Sequence, residues 1–129
     1  MITVSKDKSK LNVAFIQNFL KDIYWAAGRT TVEVQTTIDA SFCFGIYLDD
    51  NQIGFCRVIT DYVVFAYVMD VFIETNHRGK GYSSILINAM MTEPELQQVK
   101  IWRLATSDAH FLYEKFGFNP LGVIKLFVF

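Results

Sequence analysis

Apolar residues recur every three or four positions near the start of the chain, at Leu11, Phe15, Ile16, Phe19, Leu20, Ile23 and Tyr24. This spacing is typical of a helix with one buried face, and it predicts a helix over residues 11 to 27 that ends at Gly28. A second helix is predicted over residues 31 to 39, with Val34 and Ile38 directed inward. A short strand over residues 2 to 4 would precede both helices.

The pattern changes to strands at Phe42. Strands are predicted over residues 42–48, 53–60 and 63–73, with a turn at Asp49, Asp50 and Asn51 and another near Asp61. The third strand is long and almost entirely apolar, as expected in the middle of a sheet that is covered on both faces. These segments predict an antiparallel meander.

Helical spacing returns at Ile85, Leu86, Ala89 and Met90 and stops at Glu93-Pro94. A strand over 100–106, a short helix over 109–116 with Asp108 as N-cap, and a strand over 123–129 complete the chain. The order predicts a mixed α/β sheet. The crossover between residues 63 and 106 should be right-handed and parallel, which places the loop after residue 73 at the carboxyl end of a central strand.

Composition narrows the classes of function. The chain has 129 residues, 52% of them hydrophobic, which predicts one globular domain over residues 1–129. A net charge of -1 does not predict the broad positively charged surface that binds nucleic acid. The apolar runs are shorter than the roughly 20 residues that span a membrane. Cys43 and Cys56 are expected to be buried thiols, and neither has a metal-binding neighbour pattern. We expect a cytoplasmic protein without nucleic-acid, membrane or metal partners.

A basic glycine turn, Arg78-Gly79-Lys80-Gly81, joins the third strand to the following helix. Such a turn can cradle a phosphate, because the first N–H groups of the helix are unpaired and its dipole adds positive charge. The P-loop pattern is absent, since Tyr82 follows Gly81, and the dinucleotide fingerprint lacks its third glycine. The alternative is a solvated turn with no ligand.

A second motif runs from Thr106 to Phe118. Together, the two motifs resemble the GNAT superfamily of acyl-CoA N-acetyltransferases, whose coenzyme loop reads Gln/Arg-x-x-Gly-x-Gly/Ala and whose later helix often reads A-x-x-L-Y-E-K-x-G-F. Matching positions are Arg78, Gly81, Ala109, Leu112, Tyr113, Glu114, Lys115, Gly117 and Phe118. Ser83 stands where the family has Gly or Ala, and its hydroxyl could donate to a phosphate.

The resemblance implies a single-domain α/β fold, a mixed sheet with an antiparallel N-terminal meander, a central splayed pair of parallel strands, and flanking helices. It implies acetyl-CoA as co-substrate. The pyrophosphate would lie over the glycine turn and the pantetheine arm along the exposed edge of the third strand. The implied coenzyme-binding residues are Val71, Phe72, Ile73, Arg78, Gly79, Lys80, Gly81, Tyr82, Ser83 and Ser84.

The resemblance also implies a catalytic role for Tyr113, which would protonate the departing thiolate; the alternative is a core aromatic residue. Asp70 is the first candidate for the general base, because it is a carboxylate within an apolar run just upstream of the thioester. Alternatively, Asp70 orders a bulge or pairs with Arg57 or Arg103. Glu33, His110 or a chain of water molecules could also serve as the base.

The acceptor pocket of this fold usually lies between the first two helices and the ends of the central strands, which indicates Tyr24, Trp25, Arg29 and Phe44. The first two could equally be core residues, while Arg29 could bind a substrate carboxylate. The implied reaction transfers acetyl to a primary amine of a small molecule by direct attack, and a carboxylate contact of Arg29 would favour an amino-acid-like acceptor. The alternatives are a non-catalytic CoA-binding or sensing module and an interaction domain.

The apolar C-terminal run is either an inner strand or an edge that forms a homodimer, as is common in the family.

Overall fold

The computed structural model describes residues 1–23, 27–106, 109–119, 122–123 and 127–128. Three short 3-10 turns lie at Lys8–Lys10, Thr75–His77 and Pro94–Leu96. The strands and helices, in chain order, are β1 Ile2–Ser5, α1 Val13–Leu20, α2 Thr31–Asp39, β2 Phe42–Leu48, β3 Asn51–Thr60, β4 Phe65–Ile73, α3 Tyr82–Met91, β5 Ile101–Arg103, β6 Ala105–Thr106, α4 His110–Glu114, β7 Gly122–Val123 and β8 Phe127–Val128.

The principal sheet has five strands in the order β1-β2-β3-β4-β5. The first four pair antiparallel, and β4 pairs parallel with β5. This confirms the predicted mixed sheet with an N-terminal meander and a crossover through α3. Strands β6, β8 and β7 form a second, antiparallel sheet in that order.

Helices cover the two faces of the principal sheet and form two core clusters. On one face, Cys43, Phe55 and Phe72 pack with residues of α1 and α2. On the other face, strand residues that include Phe44 and Val68 pack with residues of α3. Neighbouring residues of a strand point to opposite faces, so Cys43 and Phe44 belong to different clusters.

Helix α1 is shorter than predicted. It begins after Asn12, whose side chain accepts a hydrogen bond from the Phe15 N–H, and it ends at Leu20 and not at residue 27. The Ile23 N–H then bonds to the Leu20 carbonyl in a turn, and Ile23 still packs against the α1 cluster. A turn can therefore continue an apolar spacing after the helix has ended, which explains the error.

Helix α2 has the predicted bounds, and Val34 and Ile38 are buried. It begins with a capping box that the sequence analysis did not identify. Thr30 Oγ1 accepts from the Glu33 N–H, and Glu33 Oε1 accepts from the Thr30 N–H. This reciprocal pair fixes the start of α2 and the position of the preceding residue, Arg29.

Strand β4 begins two residues later than predicted. Asp61 Oδ1 accepts hydrogen bonds from the N–H groups of Val63, Val64 and Phe65. Val63 and Val64 therefore lie in the turn despite their apolar side chains. The other hairpin is tighter than predicted, since Leu48 pairs with Asn51 and Asp49 adopts a φ of 54°.

Two predicted strands are divided in the structure. The segment over 100–106 breaks at the buried Leu104 into β5 and β6, which belong to different sheets. The described parts of 123–129 are the end of β7 and all of β8, which pair antiparallel with each other. A continuous apolar run carries no signal for such a break, because both strands are apolar.

Candidate functional site

The pairing between β4 and β5 covers only the first three of the nine residues of β4. Three pairs join the strands, Phe65 with Ile101, Ala66 with Trp102 and Tyr67 with Arg103. Beyond them the chain enters β6, which pairs with β8, whereas β4 continues to Ile73. Within the described part of the chain, the edge of β4 after Tyr67 therefore has no strand partner. Its backbone groups are available to an extended ligand.

Asp70 forms a bulge at this opening. Opposite β4, the register shifts between Phe55 and Arg57, which pair with Phe72 and Met69 respectively. Strand β4 thus contains one extra residue, and Asp70 has a φ of 56°. The bulge reverses the alternation of side chains beyond it, so that Phe72 lies on the α1 face and Val71 packs on the α3 face.

Two arginines bind the same oxygen of Asp70. Arg29 Nη1 lies 2.7 Å and Arg57 Nε 2.9 Å from Asp70 Oδ2. Arg57 also donates from Nη1 to Ser41 Oγ. The side chains of Asp70 and Arg57 are only 1% and 6% exposed, whereas that of Arg29 is 19% exposed. Two adjacent guanidinium groups offset the cost of burying the carboxylate.

The other carboxylate oxygen has a different environment. Asp70 Oδ1 is buried, and it has no hydrogen-bond partner among the described residues. A buried charged oxygen without a donor is unfavourable. It therefore marks a position where a donor from a bound molecule would stabilise the site.

The glycine turn lies at the carboxyl end of β4, as predicted. Gly79 and Gly81 adopt φ values of 77° and 81°, and a Cβ atom at either position would meet nothing within 4 Å. Gly81 is the N-cap of α3 and provides no capping side chain. The first N–H groups of α3, those of Tyr82, Ser83 and Ser84, therefore follow a turn with open space around its glycines. This arrangement suits an anion.

The two basic residues of the turn differ. Arg78 folds back on the strand, where its Nε donates to the Ile73 carbonyl at 3.1 Å and its guanidinium carbon lies 6.0 Å from the centre of the Phe19 ring. The Lys80 side chain is exposed, and it forms no hydrogen bond or ion pair with the other described residues. Lys80 is therefore the better placed of the two to reach a phosphate.

The second motif lies beside the glycine turn. Lys115 Nζ is 3.4 Å from Ser84 Oγ, which joins the end of α4 to the first turn of α3. Tyr113 is 5% exposed, and its ring meets that of Phe118 edge-on at 5.9 Å. The structure thus brings the two motifs together. Lys115 was not predicted to bind the coenzyme, although its place in the motif and its charge provided a signal.

The structure does not assemble the predicted acceptor residues as one group. Arg29 lies beside Asp70, but Phe44 is buried in the cluster on the α3 face of the sheet. Tyr24 and Trp25 lie outside the described residues. Arg29 was also not predicted as a partner of Asp70, because no local pattern indicates an ion pair between residues 41 positions apart.

Among the remaining candidates for the base, Glu33 has other contacts. Glu33 belongs to the capping box, where hydrogen bonds with the Thr30 backbone and side chain lower its pKa. His110 is the first residue of α4. Arg103, considered as a partner of Asp70, donates instead to the Trp102 carbonyl.

The two thiols and the possible metal ligands lie apart from this chemistry. Burial raises the pKa of Cys43 to about 11 and also raises that of Cys56, so neither thiol is readily ionised. The described residues contain no cluster of three or more His, Cys, Asp or Glu side chains that could hold a metal ion. Within the same residues, no helix is long and apolar enough to cross a membrane.

Comparisons with known proteins agree with this geometry. A crystal structure of a protein from Xanthomonas campestris pv. campestris, described as a member of the GNAT family, is 46% identical and covers 93% of this chain and 85% of its own, with a TM-score of 0.90. A Gibberella zeae protein with a provisional acetyltransferase name is 28% identical over 88% of this chain and 77% of its own.

A third comparison bears on the fold alone. A Clostridium acetobutylicum structure, described as a predicted acetyltransferase with acetyl-CoA, is 14% identical and covers 92% of this chain and 90% of its own, with a TM-score of 0.69. The family model for the acetyltransferase (GNAT) domain matches residues 39–120, which include Asp70, the edge of β4 and both motifs but not Arg29. This chain therefore belongs to the GNAT acetyltransferase family, whose members use acetyl-CoA.

Proposed function

We propose that this protein transfers the acetyl group of acetyl-CoA to the primary amine of a small molecule, as a single-domain cytoplasmic enzyme. The observation that carries the proposal is the open edge of β4. This edge contains Asp70 and ends at the glycine turn. This arrangement offers hydrogen bonds to an amide-bearing arm and an anion site at its end.

The coenzyme would extend along β4 and end at α3. The edge of Val71, Phe72 and Ile73 would bind the pantetheine arm, although the Ile73 carbonyl already accepts from Arg78. The pyrophosphate would lie over the N–H groups from Gly79 to Ser84, with Lys80 and Lys115 adding positive charge. Ser83, partly buried in the first turn of α3, is small enough to leave this backbone accessible.

The proposed reaction is direct attack of the amine on the thioester. The new C–N bond forms, the C–S bond breaks, and the nitrogen loses a proton to a base. Tyr113 donates a proton to the departing sulfur and regains it from water. Most of the acceleration would come from holding the two reactants together and from backbone N–H groups near the thioester oxygen. No cysteine lies in either motif, so an acyl-cysteine intermediate is not part of the scheme.

Asp70 is our candidate for the base, acting directly or through water. It immediately precedes Val71, the first residue proposed to bind the pantetheine arm, and its Oδ1 has no donor among the described residues. Its pairing with Arg29 and Arg57 is the argument against this role, since both guanidinium groups already contact Oδ2. Any acceptor that displaces Arg29 would remove part of this obstacle.

A non-catalytic CoA-binding or sensing module is the second candidate, because the side chain of Asp70 is covered and ion-paired. Coenzyme binding and catalysis can be measured separately. Acetyl-CoA at ~100 times its Kd should stabilise the fold by roughly 2.7 kcal/mol if either candidate is correct. Release of free thiol on adding primary amines would support the enzyme, and stabilisation without thiol release across the panel would favour the sensing module. No stabilisation by acetyl-CoA would contradict both.

A further inference from the structure

The cluster of Arg29, Asp70 and Arg57 contains two cations and one anion, which gives it a net charge of +1. In the described part of the chain, neither arginine forms an ion pair with any other acid. This charge lies at the bulge that precedes the β4 edge. The site should therefore disfavour a polycationic acceptor and attract an acceptor that carries a negative group.

The two arginines are held very differently. Arg57 is buried and donates to Asp70, Ser41 and the sulfur of Met69. The Arg29 side chain has one hydrogen bond, from Nη1 to Asp70, and its Nε and Nη2 have no partner among the described residues. Its backbone is fixed nonetheless, because Gln17 Nε2 donates to the Arg29 carbonyl. Arg29 is thus an anchored residue with a guanidinium that can exchange partners.

We propose that the acceptor carries a carboxylate beside its primary amine, as a free amino acid does, and that Arg29 binds this carboxylate in place of Asp70. The inference rests on the proposed acetyl transfer and specifies its acceptor. The exchange replaces one carboxylate by another on the same guanidinium, and a bidentate contact would use the donors that lack partners. Asp70 keeps its bond to Arg57 throughout, so the exchange leaves no isolated buried charge.

Displacement of Arg29 also has a consequence for the amine. It would uncover Asp70, whose Oδ1 lacks a donor, and the ammonium group of the same acceptor supplies one. The site thus complements both ends of a zwitterion, with donors on Arg29 for the carboxylate and an oxygen on Asp70 for the nitrogen. A proton passed from nitrogen to Asp70 would then leave the amine ready to attack.

The test compares free L-amino acids with their amides, which keep the amine and the side chain but lack the carboxylate charge. Binding to the protein saturated with CoA is measured by calorimetry, and turnover by thiol release from acetyl-CoA. We expect the wild-type protein to prefer a free acid over its amide by at least about tenfold, as befits a charge-assisted contact. Arg29→Met should abolish this preference and Arg29→Lys should retain part of it.

Lys21→Met is the matched control, since it removes an exposed cation from the turn after α1. It should leave the preference unchanged, and stabilisation by acetyl-CoA should confirm that every variant folds. Equal binding of acids and amides, no binding of either, or a preference that survives Arg29→Met would overturn the inference. An Arg29-dependent preference in binding without thiol release would uphold it and contradict the proposed transfer instead.

Discussion

Asp70 occupies a backbone conformation that most residues avoid, with a φ of 56° in the middle of an apolar strand. Aspartate tolerates this region better than β-branched residues do. Its carboxylate is stabilised by Arg57 from the sheet and by Arg29 from the segment before α2. One residue therefore connects the bulge in β4, the open edge beyond it and the entrance to α2.

Asp70→Asn should separate the charge of this residue from its shape. Asparagine also tolerates a positive φ, so the bulge should persist, but a charge that two arginines share would be lost. We expect kcat to fall by about 100-fold or more if Asp70 is the base, with little change in the affinity for acetyl-CoA. Steady-state kinetics and calorimetry with acetyl-CoA provide the measurement. An unchanged kcat would exclude Asp70 as the base and leave it a structural role.

Tyr113→Phe tests the proposed acid. The substitution keeps the buried ring and its edge-on contact with Phe118 but removes the hydroxyl. We expect kcat to fall by about 100-fold or more and the Kd of acetyl-CoA to change little. The matched control is Tyr62→Phe, which removes a hydroxyl from an exposed tyrosine in the turn between β3 and β4. Turnover that is equal in the wild type and Tyr113→Phe would remove Tyr113 from the mechanism.

At the scale of elements, short polar segments fix where the helices and strands begin. The capping box fixes the start of α2 immediately after Arg29. Asp61 accepts hydrogen bonds from the N–H groups of Val63 and Val64, which therefore lie in the turn and not in β4. Because the strand is interrupted at Leu104, β5 and β6 belong to different sheets, and the edge of β4 is left without a strand partner among the described residues. The geometry of the site thus depends on where these elements stop.

Thr30→Ala should weaken α2. It removes the side chain that accepts from the Glu33 N–H, and the loss of such a cap costs about 1 kcal/mol. Urea unfolding of the wild type and the variant provides the measurement. Thr36→Ala is the control, because Thr36 is exposed within the same helix and alanine favours helix there. Equal stabilities of Thr30→Ala and the wild type would show that the cap contributes nothing.

The turn at Asp61 should make stability depend on pH. Hydrogen bonds from the N–H groups of Val63, Val64 and Phe65 hold the pKa of Asp61 below its ordinary value of 3.8. The stabilisation is therefore present above that value and is lost as the pH falls through the lowered pKa of the folded protein. Asp61→Asn should have a lower Tm than the wild type at pH 7, and the difference should shrink as the solution is acidified to pH ~3.

Asp50→Asn, in the hairpin between β2 and β3, is the control for this measurement. It changes an exposed aspartate at the other turn, and its Tm should follow that of the wild type at each pH. A difference between Asp61→Asn and the wild type that stays constant with pH would show that the charge of Asp61 is not involved.

At the scale of the whole molecule, the sequence predicted the mixed sheet and the parallel crossover. These predictions were possible because the spacing of apolar residues and the positions of glycines are local signals. The capping box of Thr30 and Glu33 is a local pattern that was overlooked, whereas the missed features of the site depend on residues distant in the sequence. Arg29 meets Asp70 across 41 residues, and Phe44 lies on the face opposite Arg29 because of its parity within β2.

The central claim is acetyl transfer from acetyl-CoA to a small primary amine. The most direct measurement incubates the protein with acetyl-CoA and a panel of amino acids, amines and aminoglycosides, and follows free thiol and acetylated product together. We expect at least one acceptor to give thiol and N-acetyl product in equal amounts, and Tyr113→Phe to reduce both. Binding of acetyl-CoA without either product, across the whole panel, would contradict it.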